Sequence, residues 1–269
     1  MAPPENIENS GRDRGLQENS AAATGLKKGT EGILPRSRRG VHEFILQWFD
    51  NQERGRVLDA PAGYGHLSKA LKEKGFDVTA AEIEPGIFAV PSIKCVFADL
   101  DERIDSDDHS YDYVCCVDGL EHATNPYRAV EELARVLKPG GHAVFSIPNY
   151  ASVERRLKFL VKGYFTRPVS SERFTSEGGK LHNFHNSVLT ITIVEFMMRI
   201  NGLEIVEIRK NDTKPRQYLF LPLVLWLWLV NLFKSASRRE RDRTDLTLNR
   251  DVILGGPNLI IIARKSAKQ

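Results

Sequence analysis

The sequence predicts an α/β fold, a mostly parallel, doubly wound sheet with helices on both faces. Three observations carry that prediction. Strand-type runs alternate with helix-type stripes from Val41 to Arg209, the order that builds parallel strands joined by crossover helices. A glycine-bearing turn, Gly63-Tyr64-Gly65, separates the first run from the helix that follows it. Asp59, Glu82, Asp99 and Asp118 stand at the ends of successive runs, and open α/β sheets bind ligands beyond the carboxyl ends of their strands.

The elements follow in order. Residues 1–38 are rich in Asn, Glu, Ser, Gly and Ala without periodicity, so they read as a disordered leader, and no apolar segment of a signal peptide is present. Residues 39–269 read as a single domain. Val41, Phe44, Ile45 and Trp48 mark an amphipathic helix. Arg56-Val57-Leu58 is a short first strand that ends in the turn Asp59 to Gly65. Leu67, Ala70 and Leu71 line the next helix, which Gly75 stops. Strands at 77–81, closed by Glu82, at 93–98 and at 113–117 follow. Asn125-Pro126 is an N-cap followed by a proline at the first helical position, and Val130, Leu133, Ala134 and Leu137 line that helix. Lys138-Pro139-Gly140-Gly141 ends it, and His142 to Ile147 is the fifth strand. Residues 150–186 read as an insertion over the edge of the sheet. Ile193, Phe196, Met197 and Ile200 predict a helix with that face inward, and strands at 203–209 and 258–263 complete the set of seven.

Composition narrows the class. Hydrophobic residues make up 41% of 269, enough for a substantial core, and the net charge of +3 forms no basic stripe, so nucleic acid is not an expected partner. Cys95, Cys115 and Cys116 lie in apolar runs without a C-x-x-C pair, which points to a reducing, cytoplasmic setting.

The turn after the first strand lets backbone N–H groups and a helix N-terminus approach a ligand closely. A dinucleotide fingerprint would place glycine or alanine at position 68, where this chain has Ser68, and a dehydrogenase loses ground accordingly. Glu82 is placed to accept ribose hydroxyls and Asp99 to meet an adenine amino group.

Val57-Leu58-Asp59-Ala60-Pro61-Ala62-Gly63-Tyr64-Gly65 resembles the first motif of class I S-adenosylmethionine-dependent methyltransferases. Tyr111-Asp112-Tyr113-Val114, Gly119-Leu120-Glu121-His122, Arg135 to Gly141 and Ser146-Ile147-Pro148-Asn149 are similar to later motifs of the same family, and the ubiquinone-biosynthesis type is the nearest in character. The usual glycine-cysteine-glycine is replaced by Ala60-Pro61-Ala62-Gly63. The resemblance implies a Rossmann-like sheet whose last strand inserts antiparallel, and S-adenosyl-L-methionine as cofactor. It implies Gly63 and Gly65 against the amino-acid end, Glu82 at the ribose and Asp99 at the adenine, with Asp59, Ala60, Ala62, Ile83, Leu100 and Asp118 completing the cofactor-binding set. The reaction implied is in-line attack on the sulfonium methyl, in which the protein supplies orientation and a base.

His122, at the end of the fourth strand, is the expected base, because an imidazole of pKa ~6.5 suits removal of a hydroxyl proton. Glu121 is expected to orient the substrate or a metal, and His185, in Leu181-His182-Asn183-Phe184-His185-Asn186, to bind the substrate; a structural role for each stays open. No standard metal-ligand spacing occurs, so no metal is expected. No N-P-P-Y-type motif follows the fourth strand.

Residues 219–233 are nearly all apolar, with basic flanks filling out 214–243. At ~1.5 Å per residue such a helix is too short for a ~30 Å bilayer core. It is expected to lie at a membrane surface, peripheral to its inner face, with burial in the fold or in a dimer as the competing reading. The segment 152–167 is a second basic and apolar stretch. Residues around His185 and Gly202 resemble methyltransferases encoded with bacterial polysaccharide genes, which implies a glycan or lipid-linked sugar acceptor. A prenylated quinone-like phenol ranks just behind it, and a non-catalytic cofactor-binding scaffold at a membrane is the alternative from another class.

Overall fold

The first strand pairs on both sides, and the rest of the sheet grows outward from it. In the computed structural model, which describes residues 37–166 and 169–267, β1 (Arg56–Asp59) lies parallel to β2 (Asp77–Glu82) and to β4 (Tyr111–Val117). β3 (Lys94–Phe97) adds beside β2, and β5 (Leu137–Pro148) beside β4. β7 (Asn258–Lys265) runs antiparallel between β5 and β6 (Leu203–Lys210). The order is β3-β2-β1-β4-β5-β7-β6, so all seven expected strands form and the last inserts antiparallel. The chain winds outward through β2 and β3, then returns to β4 on the other side of β1. That reversal opens a crevice at the carboxyl ends of β1 and β4. The expected leader, except for Ser37 and Arg38, lies outside the described residues.

Side chains alternate across the strands, and each face takes its own helices. Leu58, Val114, Cys116 and Phe145 join α3 (Pro126–Val136) and α6 (Ile191–Ile200) in one core. On the other face Tyr113 meets α1 (Val41–Asp50), with ring centroids 5.3 Å from Phe49 and 6.1 Å from Trp48. Asn125 caps α3 as expected, its side chain accepting from the Arg128 N–H.

Several expectations need correction. α1 is turned from its predicted stripe: Val41, His42, Ile45 and Phe49 are buried. His42 is held inward by a 2.8 Å contact with His66, at the start of α2 (His66–Glu73). α3 ends at Val136, and β5 begins at Leu137 rather than at His142, because Leu137 pairs with Tyr111 before an irregularity in register. α6 buries Ile191, Val194, Met197 and Met198, while Ile193, Phe196 and Ile200 stay exposed. Both sides of this helix are apolar, so period alone could not choose between them.

The 150–186 segment contains no strand among its described residues. It forms α4 (Val153–Lys162), α5 (Ser171–Ser176) and a turn at Leu181–Asn183, then returns to the end of β4, where the Asn186 N–H donates to the Glu121 carbonyl (2.8 Å). β6 leads into α7 (Leu221–Leu232), α8 (Ala236–Arg241), α9 (Thr244–Thr247) and α10 (Arg250–Ile253).

Candidate active site

The rim is assembled first from backbone. Beyond β1, the Ala60 N–H donates to Cys115 and the Ala62 N–H to Ala81, at 2.9 and 3.0 Å. These bonds tie the turn to the strands on either side. Gly119 lies so near Pro61 that a Cβ on it would come within 2.3 Å of the proline ring. Gly65 has φ +90°, and a Cβ there would fall 2.5 Å from Phe88 and 2.7 Å from Val90. Only glycine meets both the left-handed backbone and the close approach.

The acidic strand ends divide into two kinds. Glu82 accepts from the Gly63 N–H (2.7 Å) and the Ile83 N–H (3.0 Å), one on each carboxylate oxygen. An ionised carboxylate offers about four acceptor positions, so each oxygen keeps capacity for a ribose hydroxyl. Asp99 is half-buried and accepts from the Asp101 N–H (2.9 Å) beside Leu100. Asp59 and Asp118 work within the protein. Asp59 is fully enclosed and accepts from Ser68 Oγ (2.6 Å), and burial pushes its carboxyl up to about 7. Ser68, which in the sequence only argued against a dinucleotide, therefore anchors α2 to the end of β1. Asp118 takes a positive φ of 49° and accepts from Ser146 Oγ and Asn258 Nδ2, both at 2.6 Å. It joins the ends of β4, β5 and β7, and burial raises its pKa as well.

These features fit an adenosyl amino acid. The glycine cradle has no room for a side chain, Glu82 has acceptor capacity in reserve, and the three parallel strands β1, β2 and β3 deliver their ends to one side.

The second half of the site lies past β4. Glu121, His122 and His185 come together although His185 is 63 residues from His122 in sequence. The two imidazoles stand nearly perpendicular, with centroids 4.8 Å apart. Asn186 donates its side-chain amide to the His122 carbonyl (2.8 Å) and its backbone N–H to the Glu121 carbonyl (2.8 Å), which holds the two segments in register. Glu121 is 1% exposed. Burial, then the neighbouring Asp118, pushes its carboxyl up to about 8, so it is protonated at neutral pH. His185 keeps an exposed edge, yet desolvation, then His122, Arg38 and Arg155, lower its pKa to about 4, so it is neutral there. One ligand atom from each of the three residues lies within 4.8 Å of the others. The group can therefore hold a divalent cation, a possibility that ligand spacing in the sequence does not reveal.

Tyr150 was not singled out as a site residue. It is 2% exposed, its hydroxyl has no hydrogen-bond partner among the described residues, and the Arg155 guanidinium lies 6.0 Å from its ring. Burial, then Glu121, raises its phenol to about 12. Its position after the Ser146-Ile147-Pro148-Asn149 strand end was the signal available.

A family profile for a methyltransferase domain matches residues 35–208. The ubiquinone biosynthesis O-methyltransferase of Alkalilimnicola ehrlichii is 28% identical over 158 residues, covering 50% of this chain and 64% of the relative. The enzyme of the same name from Hydrogenovibrio crunogenus is 30% identical over 182 residues, covering 64% of this chain and 71% of the relative. The chain thus spans 64% and 58% of the first curated relatives it matches, under two thirds of their length. A SAM-dependent methyltransferase structure from Archaeoglobus fulgidus superposes with a TM-score of 0.52 at 18% identity, over 83% of this chain and 94% of that one. At that identity the likeness is one of fold.

Proposed function

This chain belongs to the methyltransferase-domain family, and from that premise we propose that it moves a methyl group from S-adenosylmethionine to a hydroxyl oxygen of a phenol bearing an apolar tail. The observation that carries the proposal is the meeting of Glu121, His122 and His185 past β4, next to the crevice that Gly63, Gly65 and Glu82 border.

The cofactor, when bound, supplies a sulfonium methyl that an oxygen nucleophile can attack, with the thioether sulfur leaving as S-adenosylhomocysteine. Glu82 and the glycine turn hold the adenosyl and amino-acid portions, with Asp99, Ile83 and Leu100 beside them. Asp59 and Asp118 keep the strand ends in place through Ser68, Ser146 and Asn258. His122 accepts the hydroxyl proton as the acceptor oxygen turns toward the methyl. His185 packs against His122 and fixes the ring plane. Glu121, holding its proton, donates a hydrogen bond to the acceptor, and the Tyr150 hydroxyl offers another.

Basicity favours the phenol. A phenol has a pKa of ~10, and a sugar hydroxyl is a far weaker acid. An imidazole base is better matched to the more acidic hydroxyl. Two relatives bearing the name ubiquinone biosynthesis O-methyltransferase support the same choice. The glycan acceptor, which ranked first on sequence, therefore drops behind the phenol.

The test is methyl transfer from labelled S-adenosylmethionine to a prenylated catechol and, separately, to lipid-extracted glycans. Label in the catechol, lost in His122→Ala, is the expected result. Label confined to the glycan fraction would overturn the acceptor assignment, and no transfer to either would leave a cofactor-binding scaffold as the reading.

A further inference from the structure

α7 is apolar on both of its sides, and only one is covered. Leu221, Val224, Leu227 and Trp228 pack against Val153 and Leu157 of α4 and against Ile253 and Leu254. The Trp228 indole N–H donates to the Leu248 carbonyl (2.8 Å), so of the two tryptophans in α7 only Trp226 faces outward. On the open side Leu225, Trp226, Leu229, Leu232 and Phe233 are 52, 57, 53, 71 and 85% exposed. The stripe by which α4 meets α7 runs on, at helical spacing, from Val153 and Leu157 to Leu160 and Val161, each 79% exposed. Burying large apolar side chains is favourable, so a face of this kind is built to be covered.

Three observations choose the cover. Residues 150–166 and 214–243 contain eleven Lys and Arg against three Asp and Glu, in a chain whose net charge is only +3; the apolar face sits inside the most basic part of the molecule. The outward residues of α7 carry no polar group except the Trp226 indole, whereas a protein interface needs about one hydrogen bond per 100–200 Å². Finally, twelve residues span ~18 Å, and among the described residues no helix is long and apolar enough to cross a membrane. The helix can lie in a bilayer surface, not across it.

We infer that the open face of α7, continued by the end of α4, seats this protein on an anionic phospholipid surface. The Tyr150 ring lies 5.6 Å from Phe165, which stacks on Phe159 of α4 at 4.5 Å, so the seated face adjoins the acceptor side of the site. The inference stands on the surface alone and does not need the methyl-transfer reading.

Co-sedimentation of the full chain with phosphatidylcholine vesicles, with and without phosphatidylglycerol, tests it. The expected result is binding at least ~10-fold tighter to the vesicles containing phosphatidylglycerol and weakened by salt. The double variant Trp226→Glu/Leu229→Glu should lose ~10-fold or more of that binding, with unchanged circular dichroism and unchanged affinity for S-adenosylhomocysteine. Lys234→Gln/Arg238→Gln should lose the preference for anionic lipid while keeping the fold. No sedimentation with either vesicle would overturn the inference, as would sedimentation that the double variant leaves intact. So would a dimer, seen by light scattering, that the double variant dissociates, since the face would then belong to a second copy.

Discussion

The two halves of the site are built in opposite ways. At the ends of β1 and β2 the polar groups are answered by neighbours close in sequence: Ser68 by Asp59 nine residues away, Gly63 by Glu82 nineteen away. Past β4 the partners are distant and the polar groups are left open. His185 reaches His122 across 63 residues, while Glu121 Oε2 and the Tyr150 hydroxyl are buried with no hydrogen-bond partner among the described residues. A buried unpaired polar group costs ~1–3 kcal/mol, and a fold tolerates that where a ligand will make the bond. The rim is complete before anything binds; the acceptor side is completed by its substrate.

The strongest way to break this contrast is to remove the base. His122→Ala should lower kcat by roughly 10²–10⁴-fold and leave the calorimetric affinity for S-adenosylhomocysteine within about twofold, because the rim does not use it. A comparable loss of cofactor affinity would merge the two halves.

Next is the cradle. Gly65→Ala meets Phe88 at 2.5 Å with φ +90° and should destabilise the fold by ~2–4 kcal/mol. Gly140→Ala has a similar φ of +80° with nothing within 4 Å, so it should cost only ~1 kcal/mol. Thermal melts of the pair separate close approach from backbone strain.

Asp59 supplies a pH test. Its carboxyl is raised to about 7, so the folded state keeps a proton that the unfolded chain has already released. Its contribution to stability therefore falls as pH climbs from ~4 through ~7. Asp59→Asn removes that slope, and at pH 8 the variant should be more stable than the parent by ~1–3 kcal/mol in urea titrations. A parent whose stability rises with pH over that window, with no change in slope on substitution, would refute the buried-proton account.

The smallest effect separates the halves most finely. Tyr150→Phe removes an unanswered hydroxyl, so it should leave stability unchanged or raise it by ~0.5–1 kcal/mol while KM for the acceptor rises ~3–10-fold. Ser68→Ala on the rim should do the reverse, losing ~1–3 kcal/mol because the buried Asp59 loses its donor.

Much of the rim was legible in the sequence because it is local. Strand periodicity, an acidic residue at each strand end and a glycine turn are signals within a few residues, and the seven strands form where those signals stand. Glu121, His122 and His185 were also named in advance, but their convergence was not, since nothing in the chain says that residues 181–187 return to the end of β4. Helical stripes failed where a helix is apolar all round. α6 has Ile193, Phe196 and Ile200 on one side and Ile191, Val194 and Met198 on the other, and contact with β6 and α3 decides between them. α7 posed the same ambiguity: one side is buried in the fold and the other is open. Ser68 and Tyr150 were overlooked for a related reason. Each acts through a burial that only the tertiary structure creates.

The central claim is that the ends of β1, β2 and β3 form one cradle for an adenosyl amino acid, with Glu82 at its middle. Calorimetric titration of the protein and of Glu82→Gln with S-adenosylhomocysteine tests it most directly. The account predicts saturable one-to-one binding by the parent and an affinity lower by about 10–100-fold in the variant, the worth of hydrogen bonds to a charged acceptor. Absence of binding by the folded parent, or equal affinity in the two proteins, would contradict it.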